Sequence, residues 1–292
     1  LKVKVHMNKY KYYKKNGYVV FESLIDVKKI DLFNQQISQS FADKDIIYSQ
    51  MDTQSDGPAQ FTDEGFLINP IGDVHLCEYY DQNLATPNAT VIDILSSKEI
   101  KSALDQLTGT EKHTVVMSMY FDKNAGTPAH QDWYYLDAER RGGITAAWIA
   151  LEDIEDAAGR FFVIPGTQKT FFDLSKEQIK SSDAYENIIK NYVSENKGKI
   201  VAPALRKGDV LFWNSGTIHG SLRSNTNKFS RKSITAHYLP KDDIYVQNAY
   251  LKTHREIEGF DNNGIGFRLT NSVKDAFEDK GLKPRSLSSF DR

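Results

Sequence analysis

The sequence predicts a mainly β fold with flanking helices (α+β), its strands arranged as a distorted jelly roll. Three observations predict it. Helical periodicity is concentrated in the first third of the chain and in one later insert. The remaining apolar runs are short, rich in β-branched and aromatic residues, and closed by Gly, Pro and Asn turns. The insert interrupts the strands midway, which suits two antiparallel sheets with a site between them at one mouth. The chain of 292 residues reads as one domain, 1–292. It divides into a helical part at about 7–108, a β-rich core at about 113–240 and an extension over 241–292.

Taken in order, the elements begin with a helix for which Asp26 is the N-cap and Ile30, Phe33, Ile37 and Phe41 recur at three- and four-residue spacing. Residues Gln50 to Asp63 are polar, aperiodic and contain Gly and Pro, so they read as a loop that covers a site. A second helix is expected from Thr90 to Leu107, with Ile94, Ile100, Leu104 and Leu107 inward. Strands follow: Thr114 to Phe121, Ile144 to Leu151, Phe161 to Ile164 and Val210 to Trp213. Between the last two, Ser175 to Asn196 reads as a helical insert, with Lys197-Gly198 at its end.

Composition narrows the function. At 40% hydrophobic, 26% charged and 12% aromatic residues, the chain is an ordinary folded protein. It contains no run of eighteen apolar residues, so no membrane segment is expected. A net charge of −2 gives no general attraction to phosphate backbones, which speaks against nucleic acid as a partner. The single cysteine, Cys77, excludes an internal disulfide, and a reducing, cytoplasmic compartment is expected.

The chemistry is carried by His130-Gln131-Asp132, which lies beyond the Thr114 to Phe121 strand and the turn Asn124 to Pro128. In an extended segment, residues two apart share a face, so the imidazole of His130 and the carboxylate of Asp132 can grip one ion. His219, beyond the short strand Val210 to Trp213 and the turn Asn214-Ser215-Gly216, supplies a second imidazole. Two imidazoles and one carboxylate on one face of an octahedron leave three positions open, the arrangement of non-haem Fe(II) oxygenases. His237 is read as a packed histidine rather than a pocket residue.

Five motifs in this order resemble the phytanoyl-CoA dioxygenase family of Fe(II)/2-oxoglutarate-dependent oxygenases. They are Asn16-Gly17-Tyr18-Val19-Val20, His130-Gln131-Asp132, Trp148 to Asp153, Val163-Ile164-Pro165-Gly166-Thr167, and His219-Gly220-Ser221 followed by Arg231. The resemblance covers roughly residues 10 to 240 and implies a double-stranded β-helix. It implies Fe(II) on His130, Asp132 and His219, 2-oxoglutarate and O2 as co-substrates, and release of succinate and CO2. Arg231 is implied to pair with the far carboxylate of 2-oxoglutarate, a role for which a bidentate guanidinium suits better than an ammonium. Ser233, on the same face, can add a hydroxyl, and Trp148 falls against the co-substrate. Met117 stands where relatives often place a polar contact to it.

Asp132 also excludes halide transfer, for which the resemblance implies a small residue at that position. The substrate is read as a small polar or carboxylate-bearing metabolite, with Trp133, Tyr134 and Tyr135 as a possible aromatic wall and Arg140 and Arg141 as cations facing it. Hydroxylation is the expected outcome, with desaturation and oxidative cyclisation open to the same centre. An oxygenase acting on a macromolecule and a non-catalytic jelly-roll binding protein are the alternatives.

Overall fold

The computed structural model describes residues 2–41, 47–51, 55–76, 87–170, 172, 181–247, 253–269 and 285–286. Helix α1 (Lys2–Asn16) leads into β1 (Tyr18–Phe21), and α2 (Val27–Ser40) into β2 (Ile47–Gln50), β3 (Ser55–Pro58) and the short β4 (Ile71–Gly72). Helices α3 (Pro87–Leu95) and α4 (Lys98–Thr108) precede the long strand β5 (His113–Phe121). Then come β6 (Leu136–Ala138), β7 (Thr145–Ala150) and β8 (Phe161–Val163), separated by α5 (Ser182–Glu195) from β9 (Val210–Asn214), β10 (His219–Ser221) and β11 (Ser233–Pro240). The last part adds β12 (Tyr245–Gln247), β13 (Thr253–Arg255), β14 (Glu258–Asn262), β15 (Ile265–Arg268) and β16 (Arg285–Ser286).

The major sheet runs β1-β9-β7-β11-β5-β15-β14-β16, with β4 joining β2 and β3 to β5. Facing it are the pair β8-β10, lengthened by a bridge between His130 and His219, and the ribbon β6-β12-β13. This is the expected jelly-roll architecture. The extension beyond Lys241 is built into it: β12 pairs with β6, and β15 lies parallel to β5.

The central strands are buried on both faces because each face has its own cover. On β7, Ala147 and Ile149 face the helices, while Ala146, Trp148 and Ala150 face the small sheet. The helical cover is the amphipathic stripe predicted for α2: Asp26 accepts from the Lys28 N–H as N-cap, and Ile30, Phe33 and Ile37 are buried. Phe33 meets Tyr120 of β5 edge to face with centroids 5.5 Å apart. The β5/β11 register slips between His237 and Tyr238. Past the slip Val116 packs with Met117 around Leu136, on the side away from the helices, while Val115 joins the helix-side core.

Three expectations change. The helix expected over Thr90 to Leu107 is two helices, because Ser97 caps the second by accepting from the Ile100 N–H. Within the loop expected over Gln50 to Asp63, β3 pairs antiparallel with β2, which begins ahead of it. Its sequence Ser-Asp-Gly-Pro has no strand propensity, and pairing with Gln50, itself paired to Ile71 of the main sheet, sustains it. The insert is helical over Ser182–Glu195; residues 175–180 of that expectation, and Cys77, lie outside the described residues. No helix among the described residues is long and apolar enough to cross a membrane.

Two outcomes are expected. Phe33→Ala should destabilise the protein by about 3–5 kcal/mol in urea unfolding, and a loss below about 1 kcal/mol would mean that α2 is not part of the core. His113 is buried with its Nε2 2.9 Å from the Thr108 hydroxyl, and burial, partly opposed by Asp105, lowers its imidazole to about 4. An unfolded histidine titrates near 6.5, so between these values the unfolded chain binds the extra proton. Stability should be full above pH 6.5 and fall as the pH drops towards 4, less steeply in His113→Phe. Identical slopes in the two proteins would remove His113 as a cause.

Candidate metal centre and co-substrate pocket

His130 and His219 sit directly opposite each other in an antiparallel bridge, each backbone N–H donating to the other's carbonyl at 2.9 and 3.0 Å. The segment before His130 continues this pairing, as the Ser221 N–H donates to the Thr127 carbonyl at 3.1 Å. Gly220 permits the approach: a Cβ there would lie 3.1 Å from Ala129 Cα and the Pro128 carbonyl. Both rings are oriented by the same device. His130 Nδ1 lies 2.9 Å from the Pro128 carbonyl and His219 Nδ1 lies 2.9 Å from the Thr217 carbonyl. A carbonyl only accepts, so each Nδ1 carries the proton and each Nε2 presents a lone pair.

Asp132 closes the set. Its Oδ1 is 3.3 Å from both Nε2 atoms, and the three ligand atoms lie within 4.8 Å of one another. It is not on a strand, as the two-residue spacing suggested, but opens a 3-10 turn over Asp132–Tyr134. The shared face survives because Gln131 between the ligands is extended and pinned. Its side chain, fully buried, donates to the carbonyls of Thr167, Thr170 and Gly216 and accepts from Trp133 Nε1, and its own N–H donates to the Tyr185 hydroxyl.

The second carboxylate oxygen is occupied. Trp213 Nε1 donates to Asp132 Oδ2 at 2.8 Å, and His237 Nε2 lies 3.3 Å from the same atom. Burial pushes the Asp132 carboxyl up, but His219, His237 and hydrogen bonding to His130 and His219 outweigh it and hold it well below the usual range. For His130 burial is outweighed by Asp132 and the imidazole is pushed up, whereas for His219 burial wins and it is pushed down.

These groups line one cavity of about 460 Å3, whose wall also carries Arg231, Trp148, Met117, Tyr135 and Glu186. Arg231 lies just ahead of β11 rather than on it, 2% exposed. It donates through Nη1 to the Ser221 hydroxyl at 2.8 Å and the Gly159 carbonyl at 3.2 Å, its Nε has no partner, and no carboxylate among the described residues pairs with it. Burial lowers it only to about 10, so it stays charged at neutral pH. The Ser233 hydroxyl turns back to the Arg231 carbonyl at 3.4 Å, outside the lining, and Ser221 takes the position beside the guanidinium.

Of the expected aromatic wall, only Tyr135 reaches the cavity. Trp133 and Tyr134 are core, Tyr134 stacked on Tyr185 at 3.8 Å. Arg140 and Arg141 lie elsewhere: Arg140 is exposed near Asp243, and Arg141 covers the Trp133 ring at 3.9 Å. His237, read as simply packed, is both buried and part of the cavity wall. Trp213 was hidden within an apolar strand; the one available signal was that a buried indole N–H needs an acceptor.

Two neutral imidazoles and a carboxylate within a jelly roll, beside an unneutralised guanidinium, define the class of non-haem iron oxygenases that take a dicarboxylate co-substrate. The family model described as phytanoyl-CoA dioxygenase matches residues 13–233, and the chain belongs to that family, whose members are Fe(II)- and 2-oxoglutarate-dependent dioxygenases. It is 24% identical to the peroxisomal phytanoyl-CoA dioxygenase of Bos taurus over 292 residues, 96% of this chain and 79% of the relative. To the probable phytanoyl-CoA dioxygenase of Caenorhabditis elegans it is 23% identical, over 95% of this chain and 86% of that one. Among solved structures, the epimerase SnoN in complex with Fe3+, alpha ketoglutarate and nogalamycin RO superposes with a TM-score of 0.59 at 16% identity, covering 92% of this chain and 97% of that one. EctD from S. alaskensis with 2-oxoglutarate and 5-hydroxyectoine gives 0.56 at 16%, covering 85% and 78%. These likenesses establish the shared fold.

Trp213→Phe removes the N–H that fixes Asp132 Oδ2 while keeping an aromatic ring. Fe(II) affinity, measured by competition with a chromophoric chelator, should fall about 10–100-fold, and unchanged affinity would show that the indole does not orient the ligand.

Proposed function

We propose that this dioxygenase hydroxylates an unactivated C–H bond of a small molecule, using Fe(II), 2-oxoglutarate and O2 and releasing succinate and CO2. One observation carries the reading: three convergent donors share a cavity with a buried guanidinium that has no anionic partner among the described residues. In this reading His130, Asp132 and His219 hold the iron, and their lone pairs suit a divalent cation. Arg231 takes the far carboxylate of 2-oxoglutarate, with Ser221 beside it and Trp148 excluding water. Iron and co-substrate, when bound, supply the oxidation that breaks the substrate C–H bond. The protein's part is positional. The Pro128 and Thr217 carbonyls fix the two rings, Trp213 fixes the carboxylate, and the apolar wall keeps bulk water from the reacting centre.

Asp132 fills the position a halide would need, so the reading is oxygenation; desaturation and cyclisation use the same residues. A cavity of about 460 Å3 suits a small molecule rather than a macromolecule, within the roughly 300–1,000 Å3 usual for such sites. The carboxylate-bearing substrate expected from Arg140 and Arg141 loses its support, since neither lines the cavity. The relatives are named for a CoA thioester, yet among the described residues Arg231 is the single Lys or Arg in the lining. The whole chain would act as one catalytic unit, because β1 and β15 belong to the same sheet. Its lone cysteine suits a reducing, cytoplasmic setting, whereas the mammalian relatives are named peroxisomal.

Asp132→Ala should abolish Fe(II)-dependent succinate formation from 2-oxoglutarate. Arg231→Lys, which keeps the charge but loses the bidentate fork, should raise the KM for 2-oxoglutarate about tenfold or more, the order of one charge-assisted hydrogen bond at about 1.5–3 kcal/mol. Full succinate formation in Asp132→Ala, or an unchanged KM in Arg231→Lys, would contradict the assignment.

A further inference from the structure

We infer that the substrate carries a positively charged nitrogen and that Glu186, with the Tyr135 ring, is the element that selects it. The inference rests on the proposed iron and 2-oxoglutarate site and concerns what is left of the cavity once that site is filled. Among the described lining residues the full charges are Asp132, Arg231 and Glu186. Asp132 is committed to the metal and Arg231 to the co-substrate. Glu186 makes no hydrogen bond or ion pair with any described residue, and among the described lining residues it is the charge left to meet one on the substrate.

Its side chain is exposed, and its place on the backbone is fixed. Glu186 follows Tyr185 in the second turn of α5, and Tyr185 is clamped to the metal segment. The Tyr185 ring stacks on Tyr134 at 3.8 Å, and its hydroxyl donates to the Gln131 carbonyl at 3.2 Å. Tyr135, whose ring centroid lies 5.8 Å from that of His130 and 6.3 Å from that of Tyr185, the residue before Glu186, lines the same cavity. A carboxylate beside an aromatic ring is the chemistry that recognises an ammonium group. A substrate carboxylate at that end of the cavity would instead meet the like charge of Glu186.

The rest of the wall specifies the other end of the substrate. Met51, Met117, Met119 and Leu136 present flexible, polarisable, apolar surface. The class is therefore an amine with an apolar body, the ammonium at the Glu186 and Tyr135 side and the carbon chain along the methionines. Met117, where relatives often place a polar contact, belongs on this account to the substrate wall.

The test compares two probes of equal length, octylamine and octanoate, titrated calorimetrically and anaerobically into the full chain loaded with Fe(II) and 2-oxoglutarate. Octylamine should bind at least about tenfold more tightly than octanoate. Glu186→Gln should weaken octylamine about twofold to fivefold, the range for an exposed ion pair, and Glu186→Lys should reverse the preference. Octanoate binding as well as octylamine, or a preference unchanged in Glu186→Gln, overturns the inference and leaves the iron site standing. Failure of the Fe(II)-loaded protein to bind 2-oxoglutarate in the first titration overturns the site reading, and this inference with it.

Discussion

Two imidazole lone pairs and a carboxylate oxygen converge at 3.3 Å in a largely buried site, and such a set repels itself unless a cation or a proton lies between its members. Everything around it works against that repulsion. The His130–His219 bridge brings the two rings together from segments far apart in sequence, and the Pro128 and Thr217 carbonyls prevent either ring from turning its N–H inward. Trp213 holds the other carboxylate oxygen by a hydrogen bond, and His237 lies 3.3 Å from it. Gln131, buried and bonded to three carbonyls, keeps the two ligands of its own segment on one side. The architecture behaves as a frame that keeps three donors facing each other and leaves a cation as the natural occupant.

A second unbalanced charge lies on the same cavity. Arg231 is buried among rings and neutral oxygens of the described residues, and a guanidinium in that setting is stabilised when an anion meets its charge. A cationic occupant for the three donors and an anionic one for the arginine together describe a metal-bound dicarboxylate. The two features make the same demand from opposite signs. That agreement is stronger than either feature alone, since a buried histidine cluster or a buried arginine taken singly has many structural explanations.

Much of this was legible in the sequence, and the parts that were not share a physical cause. Helix α2 could be read in full because its cap, Asp26, and its stripe, Ile30, Phe33 and Ile37, are local signals. His130 and Asp132 could be read because their spacing is short, and the link to His219 and Arg231 because the motifs keep a family order. The bond from Trp213 to Asp132 spans 81 residues and involves a residue whose local pattern is only that of a core strand. Strand β3 has no propensity of its own and exists through its partner. Arg140 and Arg141 carried a charge in a plausible place, but the side chains turn to Asp243 and Trp133, a choice made by tertiary contacts. Glu186 lay unnoticed in a helical insert because its importance comes entirely from what the helix packs against.

The most direct test of the central claim is optical. Fe(II) is added anaerobically to the purified chain, followed by 2-oxoglutarate, and the visible spectrum is recorded. A metal-to-ligand charge-transfer band that grows to saturation at one equivalent of iron is the predicted result, since it requires the co-substrate to chelate iron at a single site, proposed to be His130, Asp132 and His219. A protein that binds iron yet stays without that band at saturating 2-oxoglutarate would contradict the account.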